Sequence, residues 1–154
     1  MLHTLVMFLR RSGRNTEAVA TGRRALVLAQ EMGSPAWETA FAFLVAGAQK
    51  YSGHASDAIK TMDVGYAAIA RVQDPGTVAA LRRVGGSTWA GLGDMVRAIG
   101  EWRASMDLAA ELGDGRGEEA AITMLLKFAS TIVPDAEFLR ERLAKLTVVP
   151  PKDA

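Results

Sequence analysis

The chain has 154 residues, no cysteine, and a formal net charge of +1 from 18 Lys+Arg against 17 Asp+Glu. Lack of cysteine excludes disulfides, thiolate metal sites and cysteine nucleophiles, and the balanced charge lacks the basic excess of a nucleic-acid or anionic-membrane binder. The apolar opening run Leu5 to Leu9 is too short for a secretory segment or a membrane span, so a cytoplasmic protein is expected.

Helices are expected over residues 2–11, 15–32, 36–51 and 55–72, then over 77–91, 95–112, 116–131 and 135–146. Between these segments stand breakers: Gly33-Ser34-Pro35, Asp74-Pro75-Gly76, Gly113-Asp114-Gly115 and Pro134. Within them, proline is absent and good helix formers dominate. Apolar residues recur at three and four, as in Ala58, Met62, Gly65, Ile69 and Val72. Asp94, Asp114 and Asp135 are placed to cap the helices they precede.

A repeat underlies the series. Gly, four residues, Ala occurs at Gly13/Ala18, Gly53/Ala58 and Gly93/Ala98, twice spaced by 40. The same period aligns small residues Ala25, Gly65 and Ser105, and then Ala40, Ala80 and Ala120. Small side chains at these places let two helices cross closely. Gly13, Gly53 and Gly93 suit a left-handed residue after a helix.

Gly86, Trp89, Gly93, Ala98, Trp102 and Ser105 reproduce the spacing Gly-x2-aromatic-x3-Gly-x4-Ala-x3-aromatic-x2-small. In this they resemble the tetratricopeptide-repeat (TPR) family. The second copy keeps Gly53, Ala58 and Gly65, with Gln49 and Met62 in place of the aromatics; the first keeps Gly13, Ala18 and Ala25. The period is 40 rather than the family's 34, and the family's second-helix proline is missing. Long arrays of this texture resemble those of bacterial LuxR-type regulators. The resemblance implies an all-α fold, a right-handed α-solenoid of antiparallel helical hairpins with about 3.5 repeats and eight helices. A single repeat domain is expected over 1–146, with repeats about 1–33, 34–73, 74–113 and 114–146 and a tail over 147–154.

Chemistry is sparse. The only histidines, His3 and His54, read as a chain-end residue and a turn residue. The glycine run 85–93 lacks the lysine and order of a phosphate loop, and the acids of 113–119 do not follow calcium-loop spacing. No catalytic set, metal site or cofactor is expected, and the chain is expected not to be an enzyme. Carried over by repeat register, the resemblance implies a concave groove lined by Arg10, Phe43, Gly47, Lys50, Tyr51, Arg83, Ser87, Ala90, Thr123, Lys127 and Ser130. That set holds cations and no acid, which suits an acidic protein or peptide as partner, in a non-catalytic scaffold of bacterial regulation; neither nucleic acid nor membrane is expected. One alternative is an effector-sensing domain with a pocket at Phe43, Tyr51 and Arg83. Another is a self-association module, a homodimer through Leu5, Phe8 and Leu9. Trp89 and Trp102 are expected in the core, and Trp37 on the surface.

Overall fold

In a computed structural model describing residues 1–147, the chain is all-helical, with eight helices and no strand among the described residues. They are α1 (Leu2–Arg11), α2 (Asn15–Glu31), α3 (Pro35–Tyr51) and α4 (Ala55–Ile69), followed by α5 (Pro75–Leu92), α6 (Met95–Glu111), α7 (Gly115–Ala129) and α8 (Ala136–Thr147). Of the expected tail, Thr147 ends α8, and residues 148–154 lie outside the described residues. Among the described residues, no helix is long and apolar enough to cross a membrane.

The breakers act through backbone geometry. Gly13, Gly33, Gly53, Gly93 and Gly113 all adopt positive φ, from +63° to +91°, a region where a Cβ is disfavoured. Pro35 and Pro75 sit in the first turns of α3 and α5, where a missing N–H is harmless. Asp74, Asp94 and Asp114 accept the backbone N–H groups of Thr77, Arg97 and Gly117. Asp135 departs from this pattern: its carboxylate accepts from the Arg103 guanidinium, tying α8 to α6. Two helices also end sooner than the periodicity predicts, α4 at Ile69 and α7 at Ala129.

Each helix packs on the next, and α1, α3, α5 and α7 also touch in succession. Close approach depends on the small residues. Ala18, Ala25, Ala58, Ala98 and Ser105 are fully buried or nearly so. The glycines go further. A Cβ on Gly65 would lie 2.5 Å from Phe43 Cε1, and one on Gly86 would lie 2.6 Å from Trp102 Nε1 and 3.0 Å from the Ala98 carbonyl. Aromatic edges therefore occupy the space that side chains would take. The Trp102 indole N–H donates to the Arg83 carbonyl at 3.3 Å. Ser105 Oγ donates to Ala79 O at 2.7 Å, and Thr39 Oγ1 donates to Gly65 O at 3.2 Å, so buried hydroxyls find partners between helices.

One half-buried polar network holds α4, α5 and α6 together. Trp89 Nε1 donates to Tyr66 Oη at 2.9 Å. Tyr66 neighbours Glu101, which accepts from Arg82 at 3.2 Å and 3.3 Å. Burial raises the Tyr66 phenol well above its ordinary pKa, and burial likewise raises Glu101 against the pull of Arg82.

Substitution of Gly86 by Ala is expected to cost about 1–3 kcal/mol, because the Ala98 backbone stands in the way. Gly100→Ala, in a helix interior with open space around it, is expected to stabilise by about 0.5–1 kcal/mol; denaturant melts of the two variants check the pair. A raised folded pKa at Glu101 means that the native state binds its proton more tightly than the unfolded chain. Stability from this group is therefore present below the ordinary glutamate pKa and is lost as pH rises through the folded value. Melting curves across that range should fall less steeply in Glu101→Gln than in the wild type.

Candidate functional site

The odd-numbered helices bring one cluster of the expected groove residues together. A concavity of about 370 Å³ is walled by His3, Met7 and Arg10 of α1, Leu44, Gly47 and Tyr51 of α3, Arg83, Val84, Ser87, Thr88 and Gly91 of α5, and Met124 of α7. His3, Met7 and Arg10 follow the i, i+4, i+7 spacing of one helix face. Leu44, Val84 and Met124 stand 40 residues apart, so one register position supplies an apolar floor from three helices in turn.

The charges are one-sided. Arg10 packs with its guanidinium against Gly47, where a Cβ would meet Cζ at 3.3 Å. Burial lowers the pKa of Arg10, because desolvation disfavours its charge. Among the described residues seven ion pairs form, and neither Arg10 nor Arg83 belongs to any of them. No carboxylate lines the concavity. Tyr51, exposed at the rim, and Ser87, whose hydroxyl donates to Arg83 O at 3.2 Å, add polar groups. Two guanidinium groups without a counter-charge over an apolar floor can bind an anion through charge-assisted hydrogen bonds.

The remaining expected residues go elsewhere. Phe43 is fully buried, not groove-lining. Its ring turns inward over Gly65 and Gly85, and packs on Tyr66 at 5.1 Å between centroids. The two missing Cβ atoms make the room that draws it in. Lys50 reaches across to α5, where its Nζ donates to the Gly91 carbonyl. That carbonyl is among the last four of α5 and has no acceptor role within the helix, so the ammonium caps a helix C-terminus. Lys127 lies over the Phe128 ring at 5.1 Å, and is not part of the concavity; nor are Ala90, Thr123 and Ser130. Leu9 is also not available as an interface residue: it is 5% exposed, in a cluster with Val6, Ala18, Phe41 and Leu44. Leu5 and Phe8 do point outward, at 44% and 60% exposure.

His3 was read as a chain-end residue, and Met7, Val84 and Met124 were not assigned to the groove. His3 instead sits inside α1, with its ring 6.2 Å from that of Trp37. The signal for the apolar floor was present in the 40-residue register of Leu44, Val84 and Met124. His54 precedes α4, where Nδ1 lies 3.2 Å from Ser52 Oγ. Among the described residues, no three His, Asp or Glu side chains come together in a group able to hold a metal ion.

Because Lys50 is tied to the end of α5, Lys50→Ala is expected to lower stability by about 1 kcal/mol, measured by chemical denaturation. An unchanged midpoint would mean that the ammonium is free for other work. No protein-family model matches the chain, and no curated protein matches it. Function is therefore read from the chain's own residues.

Proposed function

We propose that the chain is a non-catalytic binding module: a right-handed α-solenoid of TPR-like antiparallel hairpins that holds an acidic segment of a protein or peptide on its concave face. The observation that carries this reading is the pairing of Arg10 and Arg83 around one cavity, where neither has an acidic partner and no carboxylate lines the wall among the described residues. A protein that needed these arginines only for solubility would leave them extended in water; here Arg10 is packed against Gly47 and partly desolvated. Succession of α1, α3, α5 and α7 on one side supports the solenoid, as do the regular turns at Gly13, Gly53 and Gly93. The setting we propose is cytoplasmic, in bacterial regulation, by likeness of the repeat texture. An effector-sensing role is the neighbouring reading, favoured by the half-enclosed shape around Tyr51 and Arg83.

A self-association role has its own observation. Met1, Leu2, Leu5 and Phe8 leave an apolar face of α1 exposed, next to exposed Leu28, Met32 and Trp37. A second copy covering that face would appear as a dimer in light scattering across a dilution series, and Phe8→Glu would return it to a monomer.

Arg83→Glu is expected to abolish binding of an acidic peptide while leaving helicity unchanged, since Arg83 makes no side-chain bond within the fold. Fluorescence polarisation with a labelled oligoglutamate, alongside circular dichroism, checks this; undiminished binding in the variant removes the basic cavity as the site.

A further inference from the structure

Resting on the reading of a basic cavity, we infer that its ligand is an amphiphilic anion, a carboxylate carried on a short apolar body, rather than a purely polar acidic group. Two features of the cavity diverge in chemistry and must be met by one ligand. Arg10 and Arg83 supply the positive pole, with Tyr51 and Ser87 as further hydrogen-bonding groups. Met7, Leu44, Val84 and Met124 supply apolar wall. An inorganic anion or a bare glutamate side chain would meet the guanidinium groups and leave that wall wetted. Apolar area removed from water contributes about 25 cal/mol per Å², so a ligand that covers the wall outcompetes one that does not.

The local construction supports one polar head and one apolar body. Lys50, a third cation, bonds the Gly91 carbonyl at the cavity wall and is already partnered there, so the two arginines remain to meet an anionic head. At Gly47 the missing side chain opens the space in which Arg10 lies, and a Cβ there would push the guanidinium out. The volume of about 370 Å³ suits a ligand part the size of one or two side chains, not an extended folded surface. The same chemistry arises from two sources: a free alkyl or aryl acid, or the acidic–apolar tip of a peptide.

Calorimetric titration of the full chain separates these. The probes are sodium octanoate against sodium acetate, and acetyl-Glu-Leu-Glu amide against acetyl-Glu-Ser-Glu amide. The expected result is that the apolar member of at least one pair binds at least about tenfold more tightly than its polar counterpart, and the pair that shows it names the source. Val84→Ser, at an exposed position, should erase that preference and leave the weak polar binding in place. Arg10→Gln should weaken both members of the pair. Equal binding within both pairs overturns the amphiphile and leaves the basic cavity standing. Binding of none of the four probes overturns both.

Discussion

Everything in this molecule depends on how closely paired helices approach, and that distance is set by what replaces a missing side chain. At Gly86 the replacement is the Trp102 indole; at Gly65 it is the Phe43 ring; at Gly22 it is Val45, with Val6 nearby. Interiors pack at crystal-like density, so a deletion on one helix must be filled from another. The filling is traded along the 40-residue register. Val6, Ala46 and Gly86 occupy one position, and Gly22, Met62 and Trp102 occupy another. As the first grows smaller, the second grows larger: Val with Gly, Ala with Met, Gly with Trp. All of these are buried.

This exchange of volume explains why the aromatic signature is strong in one copy and faint in the others. Trp102 is needed where Gly86 leaves space. In the second copy Gln49 and Met62 stand at the corresponding positions, and Gln49 is buried with its side-chain oxygen unpartnered. The same logic moves Phe43. Placed by register it belongs beside Arg83, but α3 contacts α1, α2, α4 and α5 and is buried along most of its length. A large ring on such a helix goes where the cavities are, over Gly65 and Gly85, and joins the Tyr66–Trp89 stack.

The cavity at Arg10 and Arg83 is the counterpart of that packing. Because Phe43 turns inward and position 47 is glycine, the face of α3 toward α1 and α5 is left hollow. Arg10 fills part of it, at the expense of solvation. A desolvated cation with no acid beside it is an unfavourable state for a folded protein to maintain. An incoming anion relieves it, and this links the core's construction to the surface's chemistry. The ion pairs elsewhere are different in kind. Glu38 with Arg71 of the turn after α4, and Glu118 with Arg142 of α8, each join a buried carboxylate to a cation later in the chain, and both are satisfied within the chain.

The helices, their breakers, the left-handed glycines and the small-residue crossings were legible in the amino-acid sequence, because each is a local property with a 3.6-residue or 40-residue period. So were Trp89 and Trp102 in the core and Trp37 on the surface, at 51% exposure. Arg10, Tyr51, Arg83 and Ser87, which the family resemblance carried over by register put in one groove, line one concavity. Only tertiary structure decided the fates of Phe43, Lys50, Leu9 and Asp135. Each of these was placed by a partner distant in sequence: two glycines on other helices, a free carbonyl at the end of α5, the packed faces of α2 and α3, and the guanidinium of Arg103. A periodic pattern states which face of a helix a residue occupies. It does not state which neighbour has left room or charge unfilled there, and that is settled when the helices meet.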